Sequence, residues 1–156
     1  IINHAVRVVV GYAHTCVIMY TDLDMTHLMT HLGIRCWGAN WAGALGYGDS
    51  EDRGGVSGFP PSSLPEVDLG SGVYPVDIAL GVYTTCVIVD TSDVKCWGRN
   101  NDKQLGYNDV NHRRDDANEM GDYLPVCDLG NMGAGTIDIG TKNPCALVFT
   151  EHVAFW

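Results

Sequence analysis

The chain is poor in basic residues and contains no long apolar run. Lys and Arg number 9 against 19 Asp and Glu, which gives a net charge of −10. A surface this acidic repels phosphate backbones, so nucleic acid is not an expected partner, whereas cationic partners or divalent ions are favoured. No apolar stretch approaches the ~20 residues that cross a bilayer, so no membrane span is predicted.

The chain also lacks the short motifs that mark common active sites. It contains no GxSxG elbow, no phosphate-binding P-loop, no HExxH and no CxxC pair. The usual sequence evidence for a serine hydrolase, a nucleotide-binding enzyme or a zinc protease is therefore missing. The chain has no N-x-S/T acceptor for N-linked sugar either. We predict from these absences that the protein is not an enzyme.

The sequence is instead dominated by a repeat. The stretch RCWGANWAGALGY (35–47) recurs sixty residues later as KCWGRNNDKQLGY (95–107), with Cys, Trp, Gly, Asn, Leu, Gly and Tyr at the same offsets. A shorter third copy, TIDIGTKNPCALVFTEHVAFW, follows. Self-similarity at a fixed period indicates a repeat architecture, so we interpret 1–156 as one segment of consecutive repeats. Their approximate bounds are 5–70, 75–130 and 136–156.

Each repeat is predicted to consist of short strands. VDIAL (76–80) alternates, TCVIV (85–89) is a short apolar run, and VKCWG (94–98) follows a tight turn. QLGY (104–107) is interpreted as a short, outer fourth strand. Four short strands per repeat and no convincing helix favour an all-β fold made of propeller blades of antiparallel strands. A two-sheet sandwich is the main structural alternative.

The repeated pattern resembles that of a known family. G-x-x-H-T-C followed by C-W-G-x-N-x-x-x-x-L-G is similar to the repeats of the regulator of chromosome condensation superfamily, a seven-bladed β-propeller. It is most similar to the cysteine-bearing version found in secreted and surface proteins. The founding member is a guanine-nucleotide exchange factor that binds chromatin, and no residue here can be matched to that activity. The resemblance rests on Gly11, His14, Thr15, Cys16, Cys36, Trp37, Gly38, Asn40, Leu45 and Gly46, and on Gly81, Thr85, Cys86, Cys96, Trp97, Gly98, Asn100, Leu105 and Gly106.

Two and a half repeats cannot close a ring of blades. A propeller avoids exposed sheet edges by radial closure, and seven blades of this repeat length would need roughly 400 residues. We therefore expect the chain to be part of a seven-bladed propeller or to be completed by another chain. Its expected partners are proteins, either the rest of a longer chain or copies of itself.

The repeat narrows the ways in which the six cysteines can pair. If Val89 pairs with Asp93, Cys86 lies directly opposite Cys96 on an antiparallel hairpin. Opposite residues have Cα atoms ~4.5 to 5.5 Å apart, which is within reach of a disulfide. By equivalence of position, the first repeat is predicted to contain the bridge Cys16–Cys36.

Two cysteines are left without a hairpin partner. Cys145 has Phe155 at the position where its partner is expected, and Cys127 replaces Val67 of the first repeat. We predict a Cys127–Cys145 bridge, with free buried thiols as the alternative. Because disulfides persist in oxidising compartments, they favour an extracellular or cell-surface location.

The other repeated residues are interpreted as architecture. Large aromatic side chains at one repeat position are predicted to pack between blades. Glycines after them are expected to allow a bend of the strand, and the asparagines that follow are expected to form Asx turns. These blade-packing residues are Trp37, Trp97, Trp156, Gly38, Gly98, Asn40 and Asn100.

The residues that do not recur are the candidates for function. Trp41 aligns with an asparagine in the second repeat, and the insertion TDLDMTHLMTHLG (21–33) contains Asp22 and Asp24. We interpret these three as possible contacts with a protein or a sugar. In the same insertion His27 and His31 are four residues apart and would share a helix face, which is a plausible spacing for a divalent metal. The alternative is a lengthened hairpin tip that packs on a neighbour.

These observations lead to two hypotheses about function. The first is an extracellular structural or adhesive component, built from disulfide-linked blades and assembling with other protein chains. The alternative is a secreted module that binds a protein or a glycan through its non-repeated loops. Apart from a possible divalent ion, neither hypothesis requires a cofactor.

Overall fold

The computed structural model describes residues 4–21, 31–55, 61–113, 118–130, 132–140, 143–148 and 153–156. Nine strands form three antiparallel sheets of three strands each, and these residues contain no α-helix. The all-β prediction is therefore confirmed. None of the helical turns described is long and apolar enough to cross a membrane. The strands are β1 Ala5–Val10, β2 His14–Tyr20, β3 Leu32–Gly38, β4 Pro75–Leu80, β5 Thr84–Val89, β6 Val94–Gly98, β7 Ala134–Ile139, β8 Pro144–Val148 and β9 Val153–Phe155.

Each sheet is a blade whose strands follow one another in chain order. Blade 1 contains β1 to β3, blade 2 contains β4 to β6, and blade 3 contains β7 to β9. The first strand of every blade has a register shift at the same repeat position, after Ala5, Pro75 and Ala134. A bulge of this kind bends a strand and increases its twist. The three blades therefore share the curvature of their first strand as well as their strand pairing.

The predicted hairpin register is present. Val89 donates to the carbonyl oxygen of Asp93 at 3.0 Å, and Cys86 lies opposite Cys96. The two sulfur atoms form a disulfide, and the Cα atoms are 4.1 Å apart. The equivalent disulfide of blade 1 is Cys16–Cys36, also with a Cα separation of 4.1 Å.

The predicted fourth strand is not formed. Residues 104–107 form a turn and a bend, and Tyr107 points back to its own blade and binds the backbone of the third strand. Its hydroxyl accepts from the amide of Cys96 at 2.9 Å and donates to the carbonyl oxygen of the same residue at 2.9 Å. Tyr47 binds Cys36 in the same way, at 3.0 and 3.1 Å.

The core lies between blades rather than within one sheet. Side chains of blade 2 are buried against blade 1, and side chains of blade 3 are buried against blade 2. Each fully buried aliphatic side chain contributes about 1.5–3 kcal/mol relative to exposure, so the blade junctions hold most of the hydrophobic stabilisation. The first junction includes Ile18, Ile34, Leu45, Ile78, Val87 and Trp97, and the second includes Ile88, Val94, Leu105, Ile137 and Val148.

The repeated tryptophan crosses from one blade to the preceding one. Trp97 is fully buried, and its indole Nε1 donates to the carbonyl oxygen of Ala44 in blade 1 at 3.0 Å. A Cβ atom at Gly46 would lie 2.7 Å from that nitrogen, so the position leaves no room for a side chain. Trp156 of blade 3 lies against Gly106 of blade 2 in the same manner. The repeat therefore interlocks a tryptophan of one blade with a glycine of the blade before it.

The predicted turn residues have more specific roles than expected. Gly98 has a φ of +103°, a conformation that favours glycine, and this produces the predicted bend at the end of β6. Asn100 does not form an Asx turn. Its side-chain oxygen accepts from the amide of Leu105, five residues on, and its Nδ2 donates to the carbonyl oxygen of Asp109. The asparagine side chain thus holds the long loop that follows it. In blade 1, Gly38 forms the equivalent bend and Asn40 makes the equivalent hydrogen bonds.

Candidate partner-binding surface

Three aromatic rings, of which Tyr12 and Trp41 are exposed and Tyr83 is half-buried, meet where blade 1 joins blade 2. The centroids of the Trp41 and Tyr83 rings are 4.9 Å apart, and those of Tyr12 and Tyr83 are 6.3 Å apart, both in edge-to-face geometry. Tyr12 is 77% exposed and Trp41 is 52% exposed. We call these three side chains the aromatic ridge. Exposed Tyr and Trp side chains are enriched in protein interfaces, because they bury a large area with few rotatable bonds.

The ridge is held by backbone contacts from both blades. The amide of Tyr12 donates to the carbonyl oxygen of Gly81 at 3.3 Å, which ties the β1–β2 loop to the β4–β5 loop. The amide of Arg99 donates to the carbonyl oxygen of Tyr83 at 2.8 Å. Trp41 opens the 3-10 turn Trp41–Gly43, directly after the buried Asn40. The rings therefore stand on an ordered base, which reduces the entropy lost on binding.

A buried histidine adjoins the ridge in sequence. His14 Nε2 is 2.9 Å from the hydroxyl oxygen of Thr85, and that hydroxyl donates to the carbonyl oxygen of Ala44 at 2.8 Å. Because Thr85 uses its proton on Ala44, the hydrogen-bond network assigns the Nε2–H tautomer to His14. Burial lowers the pKa of His14 to about 4. The imidazole is therefore neutral at physiological pH and serves as a link between blades.

The candidate partner-contact and metal-binding residues of the insertion are only partly described. Asp22, Asp24 and His27 lie outside the described residues. His31 Nε2 is 4.0 Å from a carboxylate oxygen of Glu66, and the His31 and Tyr74 ring centroids are 5.6 Å apart. Within the described ranges no three His, Cys, Asp or Glu side chains converge on a metal site. Metal binding by His27 and His31 stays a prediction.

The predicted Cys127–Cys145 bridge is wrong. Cys127 is a free, buried thiol, with its sulfur 3.1 Å from the carbonyl oxygen of Leu105. The reason is the path of its segment, because the Cys127 amide donates to the carbonyl oxygen of Val94 at 2.7 Å. This contact holds the segment along β6, so the side chain enters the core between blades 2 and 3, beside Cys96. The alternative of a free buried thiol is the one realised for Cys127.

Sequence reasoning missed a repeated ion pair in the long acidic loops. Arg53 binds Asp49, with Nη2 2.5 Å from Oδ2, and its guanidinium lies 4.4 Å from the centroid of the Tyr47 ring. Hydrogen bonding from Arg53 lowers the pKa of Asp49. Arg113, Asp109 and Tyr107 repeat the arrangement in blade 2. The sequence pattern from which this ion pair could have been predicted is Y-x-D-x-x-x-R, which occurs at 47–53 and again at 107–113.

Similar solved structures show the fold of the chain. Human WBSCR16 superposes with a TM-score of 0.65 at 15% sequence identity, over 99% of this chain and 36% of that one. Prp20p from Saccharomyces cerevisiae gives 0.67 at 19%, over 98% and 33%. The ectodomain of the Physcomitrella patens receptor kinase CR4 gives 0.52 at 13%, over 99% and 30%. The chain has the fold of a β-propeller segment and spans about a third of the length of each of these proteins.

A family profile assigns the repeat itself. The "Regulator of chromosome condensation (RCC1) repeat" matches residues 76–104, which contain most of blade 2 and the start of its loop. No curated protein matches the chain. Blade 2 therefore matches the RCC1 repeat, as the sequence pattern predicted, within a chain that has the fold of a β-propeller segment.

Proposed function

We propose that the chain is a non-catalytic part of an extracellular propeller, and that it binds another protein through the aromatic ridge. The observation that carries this proposal is the exposure of Tyr12 and Trp41 on an ordered base formed by two blades. Trp41 is a departure from the repeat, since blade 2 has Asn101 at that position. An exposed tryptophan that the architecture does not require is a reasonable anchor for a partner.

Three further observations support an extracellular location and a protein partner with a cationic surface. The two disulfides suit an oxidising compartment, and the Physcomitrella patens neighbour is the ectodomain of a receptor kinase. Prp20p binds Gsp1p and histones, so a protein of this fold binds proteins. The net charge of −10 favours a partner with a cationic surface, because opposite charges steer association.

A crosslinking comparison tests the proposal. The chain would carry a photoreactive side chain at position 41 or, as the control, at Tyr123, which is 71% exposed and lies outside the ridge. We expect one protein from the native extracellular fluid to crosslink at position 41 and not at 123. Trp41→Asn should weaken binding of that protein at least tenfold, whereas Tyr123→Ala should not. Equal crosslinking at both positions, or retention on glycans alone, would contradict the proposal.

A second candidate function, structural assembly, is favoured by a different surface. Val8 is 57% exposed, whereas its blade 2 equivalent Ile78 is fully buried against blade 1. Val10 is exposed and Trp37 is half-buried, whereas the equivalents of both are buried between blades. This face of blade 1 has the chemistry of a blade junction. We propose that another blade covers it, from a longer chain or from a second copy.

The state of association tests this second candidate. We expect the chain to associate as its concentration rises in sedimentation velocity, and Val8→Lys should reduce that association. Val76→Lys is the control, because Val76 is also exposed but does not lie among these three positions. A wild-type chain that stays monomeric at high concentration would count against assembly through this face.

A further inference from the structure

Three sulfur atoms meet in the core between blades 2 and 3. The free thiol sulfur of Cys127 is 3.6 Å from the sulfur of Cys96, which is bonded to Cys86. All three residues are buried. The Cys127 segment is fixed next to β6 by its backbone hydrogen bond to Val94, so the approach of the thiol to the disulfide is part of the blade architecture.

Blade 1 has the same arrangement without the third sulfur. Val67 occupies the position of Cys127, and its amide donates to the carbonyl oxygen of Ile34 at 2.8 Å, as that of Cys127 does to Val94. Val67 is buried in the core cluster that also contains Cys16 and Cys36. One chain therefore contains two equivalent disulfides. Cys86–Cys96 has the thiol of Cys127 beside it, whereas Cys16–Cys36 has the side chain of Val67 at that position.

We propose that the Cys86–Cys96 disulfide exchanges with Cys127. The thiolate sulfur of Cys127 attacks the sulfur of Cys96, a new Cys96–Cys127 bond forms, and the Cys86–Cys96 bond breaks. Cys86 leaves as a thiolate and takes up the proton that Cys127 lost. One disulfide replaces another, so the step needs no oxidant and no reductant.

The structure also explains what restrains this exchange. The thiolate is the attacking form, and burial raises the pKa of Cys127 to about 12. The thiol also donates to the carbonyl oxygen of Leu105, which holds its proton in place. Exchange therefore requires the Cys127 segment to move away from this carbonyl or to admit water. The disulfide would then move from within the β5–β6 hairpin to a link between β6 and the following segment.

Peptide mapping of the full chain without reductant tests the proposal. Trypsin cleaves after Lys95, Arg99 and Arg114, so Cys86, Cys96 and Cys127 fall in three separate peptides. The chain would be incubated in urea below its unfolding midpoint at pH 7.5 and pH 8.5, quenched with acid, alkylated and digested. We expect a Cys96–Cys127 linked peptide and alkylated Cys86 to appear together, about tenfold faster at the higher pH because the thiolate fraction rises tenfold.

The chain supplies its own controls. Cys16–Cys36 should stay intact under the same conditions, and Cys127→Val, the residue that blade 1 uses, should leave Cys86–Cys96 intact. If that variant does not fold, the wild-type comparison of the two disulfides still decides the question. Rates that do not change on dilution exclude exchange between molecules. Alkylation of Cys127 while Cys86–Cys96 persists, or equal rearrangement of both disulfides, would overturn the proposal.

Discussion

Blade 1 and blade 2 have the same three strands, the same hairpin disulfide and the same tyrosine–aspartate–arginine loop, but they differ at three informative positions. Blade 1 has Trp41 where blade 2 has an asparagine, and His14 where blade 2 has Thr84. Blade 2 has Cys127 where blade 1 has Val67. The shared residues are those that the architecture uses twice, so each difference marks a position at which the repeat does not fix the side chain.

The largest expected difference concerns the interlocking tryptophan. Trp97→Ala should lower the free energy of unfolding by about 3–5 kcal/mol, because the indole is fully buried. Its removal leaves a cavity and takes away one of the two hydrogen bonds to the carbonyl oxygen of Ala44. Trp37→Ala should cost about 1 kcal/mol, since the equivalent indole is half exposed. Urea unfolding measures both, and equal losses would show that Trp37 is as well packed as Trp97.

His14 should make the free energy of unfolding depend on pH, whereas Thr84 at the equivalent position of blade 2 should not. The pKa of His14 is about 4 in the folded chain and ~6.5 in the unfolded one, so only the unfolded state binds the proton between these values. Stability is therefore complete above pH ~6.5 and falls by up to about 3 kcal/mol as the pH drops to ~4. His14→Thr, which copies blade 2, should flatten this part of a urea-unfolding pH series.

The acidic loops provide the contrast for that experiment. Hydrogen bonds from Arg53 and Arg113 lower the pKa values of Asp49 and Asp109, so the stability that these carboxylates contribute is lost only at lower pH. A loss between pH 6.5 and 4 that persists in His14→Thr would show that another group is responsible.

The bracing asparagines should be equivalent in the two blades. Asn40→Ala and Asn100→Ala should each cost about 2–3 kcal/mol, because each removes a buried acceptor and leaves a loop amide and a carbonyl unpaired. Thermal or urea unfolding measures the two losses. A much smaller cost in one blade would show that its loop is held mainly by the arginine–aspartate pair.

The smallest expected effect on stability is that of Trp41→Asn. The exposed indole loses one edge-to-face contact with Tyr83, so the cost should be about 1 kcal/mol or less. Unfolding measurements would check this value beside the binding assay. A large loss of stability would place Trp41 with the architectural residues and weaken its assignment to partner binding.

The repeat made the blades and their disulfides predictable from the sequence, because hairpin pairing is local. Cys86 and Cys96 lie on neighbouring strands joined by a short turn, so the register alone brings them together. Trp41 could be singled out for the same reason, since it breaks the repeat. Its ridge neighbours Tyr12 and Tyr83 could not, because their contacts cross from one blade to another.

Two wrong predictions from the sequence, the QLGY strand and the Cys127–Cys145 bridge, have physical causes as well. QLGY was expected to be a strand, but Tyr107 satisfies the backbone of Cys96 through its hydroxyl, which gives the segment a different role. The Cys127–Cys145 prediction paired two cysteines by elimination. It could not take account of the Val94 contact, which turns Cys127 toward Cys96. Contacts made by loops depend on side chains distant in sequence, and the strand pattern does not record them.

The tryptophan–glycine interlock also determines how the molecule should come apart. Each blade is completed by the blade before it, so stability is shared between nearest neighbours, as in other repeat proteins. Blade 2 receives the indole of blade 3 and inserts its own into blade 1, so it has a neighbour on both sides. Among these three blades, its amides should therefore exchange with solvent most slowly when no further blade covers blade 1 or blade 3.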